Sequence, residues 1–426
     1  MSKDQTIVLC YLSAWILTFI VYWRNTKKFN GGSFIISSYI LYALCSFLLY
    51  DTHYIYFNPL PLTVFPFIYL FVALLLGMLP ILKFGYHRYT TIQIPSMNLL
   101  NTVSLIFIIS TLFDLPSTFS NVVSGMQRML IDSAAGNEMY TESIEDVHSS
   151  GSGISNFGAV ISNAFAQIGY LLPIYYLTLQ KKNKWILMGL ILACITKMIN
   201  GISLGQRGGI VEPLLVLAAT FFLLKDYIIE KYRKILYIAG SILVGLITVP
   251  VVLITLSRFD NTVTDPMAST YYYLGIENIN FNNYALDDGG IRYGDRTIPL
   301  FKRMIGIDNV PKNFFERRTK YPNLKVNDDT FITYVGDIAI DYGPFLGAII
   351  IIIISRFFLI KMRVQGDTFP FHKLILLHFL LYLCVLGGVK LFPYADAGNL
   401  KIIICVFLYF VFKNDYIKQI SIKNEQ

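Results

Sequence analysis

Three constellations of side chains in this chain could do chemistry on a charged, oxygen-rich substrate. The first is SLGQRGGIVEP at 203–213. Gly205, Gly208 and Gly209 let the backbone approach a ligand closely, and Arg207 supplies a permanent planar cation whose fork suits phosphate oxygens better than a lysine point charge does. Glu212 is placed to hold that guanidinium; the competing reading is an interfacial arginine snorkelling at a helix end. The second is the polar segment 257–329, with Arg258, Arg292, Arg296, Arg303, Arg317 and Arg318 alongside Lys302, Lys312, Lys320 and Lys325. Aromatics are interleaved with them: Tyr271, Tyr272, Tyr273, Tyr284, Tyr293, Phe301, Phe314, Phe315 and Tyr321. Cations recognise phosphate and aromatic faces stack on sugar C–H surfaces, the mixture that single-stranded nucleic acid would also use; any one of these arginines also reads as a solvated charge. The third is NDDTFITYVGDIAIDYGPFLG at 327–347, in which Asp337 and Asp341 stand four apart and so share one helix face. Such a pair serves either as a general base or as ion-pair partners for the arginines.

Other chemistries find no support. The histidines (His53, His87, His148, His372 and His378) are scattered without metal-ligand spacing. Cys10, Cys45, Cys194, Cys384 and Cys405 all fall inside apolar segments with no CxxC, so they read as small buried side chains rather than a disulfide framework or zinc site. There is no GxSxG elbow, P-loop or GxGxxG, which leaves serine hydrolase, ATPase and dinucleotide enzyme without a signal.

The elements that must position these groups are membrane helices. With 426 residues, 55% hydrophobic and 15% charged, the composition is that of a polytopic membrane protein. A span needs about 20 apolar residues, and eleven segments qualify, near 5–23, 34–50, 60–82, 98–115, 158–179, 185–203, 209–224, 234–256, 331–358, 373–391 and 399–412. The fold expected is therefore all-α and polytopic, organised as 1–256 (eight spans with a small external lobe at 116–158), 257–329 (a large external loop) and 330–426 (three spans and a tail). The net charge of +8 does not point to nucleic acid, because Lys and Arg cluster at helix ends. With the N-terminus outside, nineteen of them fall in the inside segments and four in the short or medium outside ones. The positive-inside rule then puts the C-terminus in the cytoplasm and both polar lobes outside. The first apolar run lacks a cleavage signature and reads as a retained span.

Within this frame the small lobe, with GMQRMLIDS and SSGSG, reads as a mobile external lid or a solvated linker. FKRMIGIDNVPKNFFERRTKY at 301–321 is expected to form a basic surface helix on lipid headgroups. Phe345 to Ile360, about 24 Å long as a helix, nearly spans by itself, which leaves 330–343 and both aspartates at or above the outer surface.

Through its long late external loop, its GQRGG turn after the sixth span and the NDDTFITYVGDIAIDYGPFLG return to the membrane, the chain resembles the Wzy-type oligosaccharide repeat-unit polymerases of O-antigen and capsule synthesis. The resemblance implies a GT-C-like, inverting, metal-independent glycosyltransferase without cofactors in the bacterial cytoplasmic membrane. Such an enzyme moves an undecaprenyl-diphosphate-linked glycan onto the next lipid-linked repeat unit at the outer face, beside a flippase and a chain-length regulator. It implies Arg207 at the diphosphate and Arg258, Arg292 and Arg296 at donor or acceptor phosphate. Arg303, Arg317, Arg318 and Tyr293 complete the candidate binding surface, and Asp337 and Asp341 are the candidate catalytic carboxylates. A glycan ligase using the same donor shares all these features. A flippase or transporter of lipid-linked sugars would instead place charge at mid-membrane, where Lys197 alone is found; a non-catalytic assembly subunit is the remaining alternative.

Overall fold

The computed structural model of the chain describes residues 2–52, 57–87, 89–113, 155–203, 207–259, 266–326, 330–391 and 393–425, together with isolated positions between 115 and 127. A helix lies on each of the eleven predicted segments: α1 (Lys3–Thr26), α2 (Gly31–Leu49), α3 (Val64–Tyr86), α4 (Met97–Leu112), α5 (Ser155–Tyr176), α6 (Lys184–Ser203), α7 (Arg207–Leu224), α8 (Glu230–Phe259), a broken pair at the ninth, α14 (Phe371–Leu386) and α15 (Ala395–Glu425). Three more helices and that broken pair fall between α8 and α14. They are α9 (Pro266–Asn280), which runs on through a π turn at Phe281–Ala285, α10 (Pro299–Met304), α11 (Phe314–Lys320) and α12 (Thr333–Tyr342); α13 (Pro344–Lys361) follows directly. Among the described residues five helices are long and apolar enough to cross a membrane: α1, α2, α3, α13 and α15 as far as Ser421. On α1 and α13, Leu17, Val21, Phe345 and Ile353 point outward, which in water would be an unmanaged apolar surface and in a bilayer is the expected one. The chain is a predominantly helical membrane protein on this evidence of length, composition and outward apolar surface.

Two expectations are corrected. The ninth segment, 331–358, is not one helix: Gly343 adopts φ +82 and Pro344 opens the next helix at its first position. A left-handed residue ends a helix, and proline at the following N1 lacks only an N–H that would have had no partner anyway. The basic stretch 301–321 is likewise two short helices, α10 and α11, separated by positive-φ residues Gly306 and Asn309 and by Pro311. Asn313 caps α11 by accepting from the Glu316 N–H at 3.0 Å. GMQRMLIDS and SSGSG, with His53 and His148, lie for the most part outside the described residues. Cys10 is exposed on α1 rather than buried, unlike the other four cysteines.

The chain forms two compact units, one of Met1–Thr91 with Met267–Lys413 and one of Ile92–Pro266 with Asn414–Gln426. In the first, α1, α2 and α3 pack around Trp15, whose ring stacks on Tyr39 at 4.9 Å and meets Phe71 edge-on at 4.9 Å. Tyr39 Oη donates to the Cys384 carbonyl at 2.8 Å, which ties α2 to α14. Much of the segment expected as an external loop is docked on this bundle. The backbone of α9 lies directly on α2, with Ser46 Oγ donating to the Gly275 carbonyl at 2.6 Å. In the second unit α4 through α7 pack together, and Lys197 of α6 donates to Asn163 of α5 at 2.7 Å.

Gly275 is required by this docking, since a Cβ there would stand 2.3 Å from the Ser46 nitrogen and 2.5 Å from the Cys45 carbonyl carbon. Gly275→Val is expected to lower the thermal unfolding midpoint of the detergent-solubilised chain, by the equivalent of about 1–3 kcal/mol or more. Gly240→Ala on α8, where a Cβ meets nothing within 4 Å, is expected to leave it unchanged or slightly raised. Equal midpoints for Gly275→Val and the parent would show that α9 does not sit on α2.

Candidate functional site

Opposite charges meet where the turn 291–297 folds onto α12. The i, i+4 spacing puts Asp337 and Asp341 on one face of α12, and both are fully buried. Arg292 and Arg296, also four apart, approach in the reverse order along the chain. Arg292 Nε lies 2.6 Å from Asp341 Oδ1 and its Nη2 3.8 Å from Asp337 Oδ1, while Arg296 Nε lies 3.3 Å from Asp337 Oδ1. Both guanidiniums are as buried as the carboxylates they face. Each aspartate also takes a backbone N–H on its other oxygen: Leu391 donates to Asp337 Oδ2 at 2.8 Å, and Thr297 to Asp341 Oδ2 at 2.7 Å. Arg292 further reaches the Asp337 carbonyl at 3.4 Å, and Arg296 stacks 4.7 Å from the Tyr394 ring centre. Burial pushes the Asp337 carboxyl up; Arg296 and Arg292, with the Leu391 N–H, pull it down without fully cancelling the rise. Of the two readings open for the aspartates, pairing with arginine is the arrangement present.

The cluster is held from several sides. Tyr334 at the head of α12 wedges between two spans: a Cβ on Gly77 would meet its hydroxyl at 1.9 Å, and one on Gly387 would meet its Cδ1 at 2.6 Å. The N–H groups of Ile332 and Thr333 donate to the Val389 carbonyl at 3.1 and 2.9 Å, and that of Tyr334 to Gly387 at 2.8 Å. Asn399 of α15 clamps the turn, donating to the Thr297 carbonyl at 2.7 Å and accepting from the Leu300 N–H at 3.1 Å.

A second polar knot, not anticipated, centres on Asp295. This carboxylate has no exposed surface and accepts from Lys302, from Lys320 at 2.7 Å and from the Tyr321 hydroxyl at 2.7 Å. Burial alone would raise its pKa, but the three donors hold it below the ordinary aspartate value. Arg303 pairs with Asp396, and Arg317 is buried on α11 while Arg318 is exposed. Tyr293 adopts φ +53, a left-handed conformation uncommon outside glycine, and turns its ring to solvent at 65% exposure. Arg207 opens α7 and Arg258 lies near the end of α8, both in the second unit, with side chains outside the described residues. Of the residues named from the sequence the structure brings together Arg292, Arg296, Asp337 and Asp341; sequence reasoning missed Asp288, Asp295 and the fully buried Glu277 of α9. The signal for Asp288 was the DDGG at 287–290, a turn carrying two carboxylates. Among the described residues no group of three His, Cys, Asp or Glu side chains is disposed to hold a metal.

Since removing one partner of a buried pair leaves an uncompensated charge, Arg292→Met alone is expected to destabilise the chain by about 3–5 kcal/mol. Arg292→Met with Asp341→Asn, which removes one charge of each sign yet keeps an acceptor for the Thr297 N–H, is expected to recover much of that loss. Thermal unfolding of the two variants in detergent checks this. A single variant no worse than the double would mean that the two charges are not sealed together.

No family model matches this chain, and neither a curated protein nor a solved structure matches it, so its function has to be inferred from the arrangement of these side chains.

Proposed function

We propose that this chain polymerises lipid-linked oligosaccharide repeat units at the outer face of the bacterial cytoplasmic membrane. In this reading it crosses the bilayer eleven times in a GT-C-like architecture, N-terminus out and C-terminus in. The reaction is an inverting glycosyl transfer. The acceptor hydroxyl attacks the anomeric carbon of a glycan carried on undecaprenyl diphosphate, and the diphosphate leaves. The donor brings its own leaving group, so the protein has to supply positive charge for the departing diphosphate and a base for the acceptor proton.

The observation that carries the reading is the dense, partly accessible cation surface built onto an otherwise apolar helix bundle. Lys302, Arg303 and Lys320 keep 13, 26 and 30% of their side chains exposed, Lys312 and Arg318 are open to solvent, and the Tyr293 ring stands free among them. A lipid-linked diphosphate is the partner that needs both a membrane anchor and such a surface; a soluble nucleic acid needs no membrane bundle. Arg292 and Arg296 meet carboxylates, so in this arrangement they build the site, and phosphate contact falls to the accessible cations and, by the resemblance of its GQRGG turn, to Arg207. Lys197, the one charge read at mid-membrane, donates to Asn163, a pairing that does not favour the transporter reading.

Gel separation of surface polysaccharide from cells whose only copy carries Arg207→Ala, at matched membrane levels, checks the proposal. The loss of one charge-stabilising donor is worth on the order of 10²–10³ in rate, so the expected result is single repeat units in place of the ladder. Long unattached chains would instead indicate a ligase. An unchanged ladder would reduce Arg207 to a snorkelling charge.

A further inference from the structure

Beside the buried cluster lies a cavity of about 270 Å³, lined among others by Asp287, Asp288, Gly289, Gly290, Tyr293 and Ile340. It is just below the roughly 300 Å³ at which small-molecule pockets begin, the size for one sugar ring rather than a chain. One wall is α12, which turns Ala339 and Ile340 to the cavity and keeps Asp337 and Asp341 on the arginines. Lining it as well is the DDGG turn. Gly289 holds it at φ +84, and a Cβ there would meet the Asn323 carbonyl oxygen at 2.8 Å, so the turn is pressed onto the 321–326 segment.

Asp288 differs from the other buried aspartates. It is 4% exposed, and its Oδ1 accepts from the Val326 N–H at 2.9 Å. Its Oδ2 is buried and has neither a hydrogen bond nor an ion pair among the described residues; Asp295 is met by three donors, and the Oδ1 atoms of Asp337 and Asp341, which also lack a hydrogen bond, lie within ion-pair distance of guanidiniums. The charged groups facing it are Arg292 from its own turn and Lys325 from the neighbouring segment, whose ammonium is turned to Asp287 at 3.2 Å. Burial pushes the Asp288 carboxyl up to about 6; the Val326 N–H, Arg292 and Lys325 limit the rise. Asp288 and the exposed Tyr293 both line the cavity, and a carboxylate with a spare lone pair together with an aromatic ring is the chemistry that recognises a sugar: an acceptor for a hydroxyl and an apolar face for C–H bonds.

We propose that this cavity seats the acceptor sugar and that Asp288 takes the proton from its attacking hydroxyl, an inference that rests on the glycosyl-transfer reading above. The proton passes to Asp288 Oδ2, directly or through one water. The hydroxyl oxygen forms the new bond to the anomeric carbon as the bond from that carbon to the diphosphate oxygen breaks, and its electron pair leaves with the diphosphate. Asp288 then returns the proton to solvent, so no oxidant or further reactant is consumed.

The experiment uses the purified full-length chain in nanodiscs and, as probe, the lipid-linked repeat units extracted from cells lacking the gene. The parent rate is expected to rise with pH through about 6 and level off. Asp288→Asn keeps the acceptor for Val326. Its kcat is expected to fall on the order of 10²-fold with KM little changed and the limb near pH 6 lost, and Asp288→Glu is expected to recover part of the rate. A readout independent of activity follows from the raised pKa. The folded parent holds a proton that the unfolded chain has released, so relative to Asp288→Asn the parent's unfolding midpoint should drop as pH rises from about 4 to 6 and then stay lower. If the parent makes polymer and Asp288→Asn makes it at the same rate with the same limb, Asp288 is not the proton acceptor and the polymerase reading stands. If the parent transfers no sugar at any pH, the polymerase reading falls and the proposal with it.

Discussion

Four formal charges, two of each sign, are sealed from water where the turn 291–297 meets α12, and they are tolerable only together. Desolvating a single carboxylate or guanidinium costs several kcal/mol, and mutual attraction offsets that only when the geometry is good and the remaining oxygens find donors. Here the guanidiniums stand within ion-pair distance, at 2.6, 3.3 and 3.8 Å, and the remaining oxygens find donors. Each aspartate meets a guanidinium on one oxygen and a backbone N–H on the other, and those N–H groups, from Thr297 and Leu391, come from segments far apart in sequence. Docking of the polar segment, placement of α12 and folding of the turn after α14 are therefore one event. No one of the three can be withdrawn without stranding a charge.

That constraint explains why α12 and α13 are separate. An unbroken helix from Thr333 to Lys361 would fix the direction of the charged face relative to the apolar rod that follows. The break at Gly343 releases it, so α12 can lie against α3 and α14 through Tyr334 while α13 takes the outward apolar surface of a span. The Tyr69 hydroxyl, donating to the Pro344 carbonyl at 2.6 Å, pins the joint to α3. Charge and membrane thus divide at a single glycine.

Much of this was legible. Hydropathy located the long helices, because apolar runs of span length have few other uses, but it ended the last one at 412 where α15 runs on through a polar tail to Glu425. The i, i+4 spacing of Asp337 and Asp341 gave the shared face. What hydropathy could not give was the break, since the run of isoleucines after Gly343 dominates any long window; the Gly-Pro dipeptide was the local signal that should have outweighed it. Nor did spacing give the partners. Arg292 and Arg296 repeat the four-residue interval with opposite sign, and they pair in antiparallel order with Asp341 and Asp337, but they sit on a turn, where periodicity predicts nothing. Which arginines of the 257–329 segment would be buried followed from tertiary packing alone: Arg292, Arg296 and Arg317 went in while Arg318 stayed out.

The same packing separates the carboxylates by what each can still do. Asp337 and Asp341 are spent on guanidiniums and backbone, and to free either for a substrate proton would break a buried ion pair. Asp295 is held by two ammonium groups and a phenol, which stabilise its ionised form and make it a poor proton acceptor. Asp288 alone among these four buried aspartates has an oxygen with neither a hydrogen bond nor an ion pair within the described residues, and Arg292 moderates its charge. A site that must take a proton near neutrality needs a carboxylate that is desolvated yet incompletely satisfied, and a surrounding framework whose own charges are closed. The buried arginine–aspartate cluster supplies the framework, and the turn beside it supplies the carboxylate.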